Sequence, residues 1–204
     1  MASHNIRAQI PSNIPVHNQF IRSEHLKTPK YLNDINDWTE RNLMQLNQKK
    51  TKQILFNFNR GRQFTTVVKL KKEPLEIVNE VKLLGVIISN DLKWHKNTNY
   101  LTKKVNRKMR MLHIAAKFTR NREHLKHIYK TFIRCNLEFS STVWHSSLTL
   151  ADRQDLERIQ KAAVKVILGK EYTSYDEALS ILNLDSLNNR REAMALKFAK
   201  GSLN

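Results

Sequence analysis

Five basic residues packed into eight positions, Lys103, Lys104, Arg107, Lys108 and Arg110, carry the strongest chemical signal in this sequence. At 3.6 residues per turn, 103, 107 and 110 share one helical face, as do 104 and 108. Leu101, Val105 and Leu112 face elsewhere. Like charges at this spacing repel by a few tenths of a kcal/mol per pair, so an anionic partner relieves a cost. A solvated basic face is the plainer reading of the same residues. A second knot, Lys49, Lys50 and Lys52, sits at a predicted break between helix and strand. A lysine there can neutralise a phosphate, or it can simply be solvated. Arg60, Arg62, Lys69, Lys71 and Lys72 flank two predicted strands. There they either track a phosphate backbone or protect an open strand edge.

Other chemistry-bearing residues are sparse. His124 and His127 are three apart, but no third ligand of fixed spacing accompanies them, and zinc wants three or four. No metal site is expected. The single cysteine, Cys135, excludes an internal disulfide, and its apolar neighbourhood predicts a buried small hydrophobe. Asp34 and Asp37 read as charges near a helix start. Phosphate-cradling glycine loops, nucleophile elbows and the His-Glu-x-x-His motif are all lacking. Trp144 is assigned to the core.

Charge selects the partner class. The 204 residues hold 36 Lys+Arg against 18 Asp+Glu, a net charge of +18, and the pI is near 10.2. Such a surplus draws a chain to polyanions. No apolar run approaches the roughly 20 residues of a membrane helix, and the start lacks the apolar region of a secretory signal. Nucleic acid is the expected partner, in the nucleus or cytoplasm, with no membrane association. The oligomeric state is left open.

The elements that must position these residues fall into two groups. Residues 1–31 mix Asn, His, Pro, Ser and Gln without period and read as a loose tail. Leu32, Ile35 and Trp38, with Leu43 and Leu46 further on, predict a helix capped at Asn33 or Asp34. KQILFNFN alternates, placing Ile54, Phe56 and Phe58 on one strand face. FTTVVKLK, LEIVNEV and KLLGVIIS are further strands, expected antiparallel because their connections are short. After Trp94 only helical spacing remains: a helix marked by Leu101 to Ala116, a second over 122–144, a third ending at Gly169, and two shorter ones, the last capped by Asp185 or Ser186. The predicted class is α+β and mostly helical: a small antiparallel β unit over 32–93, then an all-α unit over 94–204.

Four stretches, in order, resemble the carboxy-terminal part of non-LTR retrotransposon reverse transcriptases. WTERNLMQLNQKKTKQILF (38–56) is similar to the end of their palm, where a tryptophan-bearing helix runs into an Asn-x-x-Lys-Thr turn, here Asn47, Lys50 and Thr51. VKLLGVIISNDLKW (81–94) resembles their primer-grip hairpin through Leu84, Gly85, Leu92 and Trp94. Residues 137–169 match a run after the palm through Leu137, Glu138, Val143, Trp144, Leu156, Glu157, Gln160 and Ala163. LNLDSLNNRR (182–191) matches a recurrent close.

The resemblance implies a palm remnant followed by a thumb-like helical domain. It makes Lys50 the lysine near the incoming triphosphate, Leu84, Gly85 and Trp94 the primer grip, and the helix of Lys103 to Arg110 the thumb helix lying on template–primer. The family metal is Mg²⁺, held by an aspartate on one palm strand and an Asp-Asp pair on another, upstream of the tryptophan helix. Upstream of Trp38 this sequence has only Asp34 and Asp37 for aspartates, and it contains no Asp-Asp dipeptide. The expectation is therefore a truncated, element-derived fragment without cofactor or catalysis of its own, retaining non-specific backbone binding. Two alternatives stand beside it. One is a working polymerase when joined to a catalytic half, and the other is a basic helical module co-opted to bind an acidic protein.

Overall fold

The computed structural model describes residues 28–57, 67–71 and 73–201. Helix α1 runs over Thr28–Arg41, earlier than apolar spacing alone predicts. Pro29 falls in its first turn, where a missing N–H costs nothing. Asn33 and Asp34 consequently lie inside the helix, not at its cap, and no acid occupies the first turn. The helix also ends before Leu43, which is exposed with a φ of 55°.

Short strands follow: β1 (Lys52–Ile54), β2 (Lys69–Leu70), β3 (Glu73–Pro74), β4 (Glu76–Val78), β5 (Glu80–Leu83) and β6 (Val86–Ser89). They form three two-stranded ladders. β2–β3 and β5–β6 are antiparallel, as expected. β1–β4 is parallel, pairing Lys52 with Glu76 and Ile54 with Val78. The expectation of antiparallel pairing took each strand to pair with its neighbour in sequence. β1 skips to β4, and residues 55–75 between them exceed the dozen or so a crossover needs. Ile54 is half-buried and Phe56 exposed, so the predicted apolar face is thin; Phe58, Arg60 and Arg62 lie outside the described residues. Val68, Leu70 and Leu75 make a small core of their own, joined by Leu32 and Leu46.

The β5–β6 hairpin turns through Leu84 (φ 46°) and Gly85 (φ 92°), the positive pair that a tight two-residue turn demands. It is pinned to the next helix, α2 (His95–Phe118). Val86 enters the main core, Ile87 N donates to Asn97 Oδ1 at 3.1 Å, and Lys96 pairs with Glu80 at 2.7 Å.

α2 starts one and a half turns before its first predicted marker, Leu101. The second predicted helix proves to be four pieces: α3 (Arg122–Ile128), a π-helical segment (Tyr129–Arg134), α4 (Cys135–Glu138) and, after a break, α5 (Ser141–Trp144). Near the π segment, side chains bond to carbonyls one turn back: Asn136 Nδ2 donates to Phe132 O at 2.8 Å and Cys135 Sγ to Thr131 O at 2.6 Å. At the break Ser140 is left-handed (φ 51°), and the Trp144 indole donates to the Phe139 carbonyl at 3.2 Å. This winding leaves Cys135 exposed, against the expectation of burial. Spacing of three to four does not say which face turns inward once a helix is π-wound.

Next come α6 (Leu150–Leu168), α7 (Tyr175–Leu182) and α8 (Leu187–Gly201). Thr149 caps α6, accepting from Asp152 N at 3.1 Å, and Gly169 ends it at φ 57°, as predicted. Ser186 caps α8, accepting from Asn189 N at 3.2 Å. The chain is thus α+β and mostly helical. Its main core joins Leu101, Val105, Leu112, Tyr129, Ile133, Trp144 and Leu156 among others.

Candidate nucleic-acid interface

α2 contains no acidic residue along its whole length. Its core side buries Leu101, Val105, Met109 and Leu112, a stripe at helical spacing that fixes which face must look outward. The outward face carries the predicted cations: Lys103, Lys104, Arg107 and Arg110 are exposed and Lys108 is half-buried. None of the five makes a salt bridge among the described residues, whereas Lys52, Lys71, Lys96 and Lys126 all do. Further along the same face stand Met111, Ile114 and Phe118, the last 86% exposed. The face is therefore basic over its first half and mixed with apolar groups toward its end.

The helix is held at both ends. At its start His95 donates from Nδ1 to Asp152 Oδ1 on α6 at 2.9 Å. Burial alone would raise the Asp152 pKa, but hydrogen bonds from Thr149 and His95 outweigh it and hold the carboxyl below its ordinary value. Lys82 of β5 donates to the Tyr100 hydroxyl at 2.7 Å and lies over its ring. The far end packs Ala115 and Ala116 against the core.

Lys50 occupies a separate place. It is exposed on a turn in which Asn47 Oδ1 accepts from Lys50 N at 3.1 Å and the Asn47 carbonyl accepts from the Thr51 hydroxyl at 2.9 Å. Asn47 and Thr51 close the turn with their side chains, whereas Lys50 contributes only its backbone N–H, so the turn does not account for the lysine side chain. Among the described residues no hydrogen bond or ion pair connects Lys50 with the α2 cations. Leu84 is 88% exposed at the hairpin tip, and Gly85 abuts Phe139, whose Cε1 would lie 3.1 Å from an added Cβ. Trp94 lies beyond the hairpin, at the cap of α2, half-buried against the core. The three residues matched to a primer grip thus differ in exposure, from the open tip at Leu84 to the half-buried Trp94.

Asp34 and Asp37 are exposed on α1, and among the described residues no group of three His, Cys, Asp or Glu is placed to hold a metal ion. The donor set does not fit a pair of Mg²⁺ ions, which needs several converging carboxylates. His113, His124 and His127 are exposed and belong to no such group. No helix is long and apolar enough to cross a membrane among the described residues.

Residues of the two later matched stretches do converge, in the interior. Glu138 holds Arg190 through two hydrogen bonds. Glu157 accepts from the backbone N–H groups of Leu187 at 3.1 Å and Asn188 at 3.2 Å, capping α8 from α6. Gln160, fully buried, donates to Tyr175 and to the Asp185 carbonyl, each at 2.9 Å, and accepts from Tyr129. Arg191 is fully buried beside the Trp144 ring. Burial brings its pKa down to about 10. These side chains tie α4, α6 and α8 together, a role no local spacing could show because the partners are 15 to 52 residues apart.

Sequence reasoning also missed a cleft of about 300 Å³ where α2 and α6 end, lined by Ala116, Leu125, Val166, Arg120, Arg122 and Lys170 among others. Its cations come from two separate segments, Arg120 and Arg122 before and at the start of α3 and Lys170 just past α6, so no run of charge announces it. No family model, curated protein or solved structure matches this chain.

Proposed function

We propose that this chain binds nucleic-acid backbones, without sequence preference, through the outward face of α2. The observation that carries this is the set of Lys103, Lys104, Arg107 and Arg110, exposed on an acid-free helix and lacking internal counter-ions among the described residues. Each such cation that meets a phosphate releases a condensed counter-ion, which drives association. Contacts of this kind position a protein on a strand and do not read bases. The likeness of residues 38–191 to the palm end and thumb of non-LTR retrotransposon reverse transcriptases supports the same reading and gives template–primer as the ligand. In this reading the chain is an element-derived thumb unit that extends no primer by itself, because its sequence offers no aspartate set for two-metal chemistry. A catalytic half bearing those aspartates would turn the same surface into part of an RNA-directed DNA polymerase. Affinity for a short RNA–DNA hybrid or DNA duplex measured across a salt series tests the proposal. Linear loss of log K with log salt is expected, and salt-independent or absent binding contradicts it.

A second reading is favoured by Met111, Ile114 and Phe118, whose exposure gives the basic face an apolar flank. Such a face suits an acidic amphipathic protein helix. That partner would bind with an affinity dependent on Phe118, whereas phosphate contact would not need that ring.

A further inference from the structure

We propose that the cleft between the ends of α2 and α6 holds one unpaired nucleotide at the end of a strand lying along α2. This rests on the backbone-binding reading above. The cleft has a volume of about 300 Å³, at the lower limit of small-molecule sites and far too small for a duplex. Its floor is apolar: Leu125, Ile167 and Leu168 are buried, and Ala116 and Val166 line the sides. Its rim is cationic. Arg120 and Lys170 are exposed and make no salt bridge among the described residues, while Arg122 is tied to Glu171.

Apolar floor and free cations together ask for a ligand with both a flat apolar body and an anionic group. A bare phosphate makes no use of Ala116, Leu125 and Val166, and an aliphatic ligand makes no use of Arg120 and Lys170. A nucleotide uses both: its base faces are apolar, and its phosphate suits a guanidinium fork and an ammonium. Cations just beyond helix C-termini also offset the macrodipoles of α2 and α6, but that role requires no cavity beside them.

The placement follows from the helix. From Arg110 to Phe118 is about 12 Å of α-helix, under four base rises of 3.4 Å. Ala116 lies on the core side of α2, opposite Arg107. A strand whose phosphates meet Arg107 and Arg110 therefore reaches the cleft a few nucleotides on by turning round the end of α2, past Phe118 and Arg120. There the duplex must end or open for a base to enter.

The test compares three ligands on the full chain by fluorescence anisotropy: a short blunt duplex, the same duplex with a few unpaired nucleotides, and that overhang made abasic. The overhang is expected to bind about tenfold tighter than the blunt duplex, a difference of about 1.4 kcal/mol, and the abasic overhang to lose most of this gain. Arg120→Gln with Lys170→Gln should bring the overhang close to the blunt value while leaving blunt binding within about twofold, since both side chains lie off the basic face. Ala116→Leu, which narrows the cleft without touching a charge, should do the same. Equal binding of intact and abasic overhangs, or an overhang preference that survives both variants, overturns the proposal while salt-dependent blunt binding leaves the α2 reading intact. Failure of every duplex to bind removes the α2 reading and this proposal with it.

Discussion

His95, at the first turn of α2, donates to Asp152, at the first turn of α6, across 2.9 Å. Asp152 is almost fully buried, and its other oxygen accepts from Thr149 at 2.6 Å. One carboxylate therefore closes the cap of α6 and fastens the start of the basic helix. Removing it leaves the capping Thr149 hydroxyl without its acceptor and His95 without its partner. Asp152→Ala should cost about 1–3 kcal/mol, read as a lower urea midpoint at pH 7. An unchanged midpoint would show that the core alone positions α2.

Acid should loosen the other side of the core. His145 Nδ1 accepts a long hydrogen bond from Arg191 Nε at 3.4 Å. Burial, then Arg191 and Arg153, hold the His145 pKa below its ordinary value, with Glu192 opposing them. The unfolded chain thus takes up this proton first. The stability His145 contributes is complete above its unfolded pKa of about 6.5 and is lost as pH falls through the lower folded value, at a slope of up to about 1.4 kcal/mol per pH unit. His145→Asn, which keeps an acceptor and removes the titration, should flatten the difference in unfolding free energy between pH 7 and 5.5. A variant as acid-sensitive as the parent would assign the slope elsewhere.

The hairpin tip offers an opposite pair of substitutions. Leu84 is exposed at φ 46°, a conformation that asparagine and glycine tolerate far better. Leu84→Asn should raise the melting midpoint, by about 0.5–1 kcal/mol of stability. Gly85→Ala should lower it by more, because φ 92° and the nearby Phe139 ring both oppose a Cβ. Destabilisation by Leu84→Asn would mean that this side chain is covered.

Purified chain supplied with primer–template, Mg²⁺ and nucleotides should extend nothing on the proposed reading, since among the described residues no three carboxylate or imidazole groups cluster to hold an ion. Metal-dependent extension that co-purifies with the chain through successive columns would contradict this.

The helical half was legible because its signals are local. The Leu101–Val105–Leu112 stripe, the Gly169 stop and the Ser186 cap each lie within a turn or two of what they decide. Where long-range pairing decides, the sequence is mute. β1 passes over its neighbours to join β4, and Glu157 caps a helix 30 residues away. The π-winding at Tyr129–Arg134 turns Cys135 outward, and the cleft joins Arg120 and Arg122 to the distant Lys170. The basic face of α2 was readable because one amphipathic helix defines it. Lys50 was marked by the same kind of local motif, of which the turn geometry explains Asn47 and Thr51 but not the lysine side chain.

The most direct measurement is the salt slope of duplex binding for a triple substitution on α2. Neutralising Lys103, Arg107 and Arg110 to Gln removes up to three phosphate-binding cations and relieves like-charge repulsion, so the fold should survive. A matched triple at Lys161, Lys165 and Lys197 serves as control; two of its cations already lie over the Tyr175 and Tyr172 rings. The slope of log K against log salt should fall by about 0.9 for each phosphate that α2 no longer neutralises, equally for all duplex sequences, and by much less for the control. Equal slopes for the two triples would show that net charge alone drives binding and that α2 is no interface.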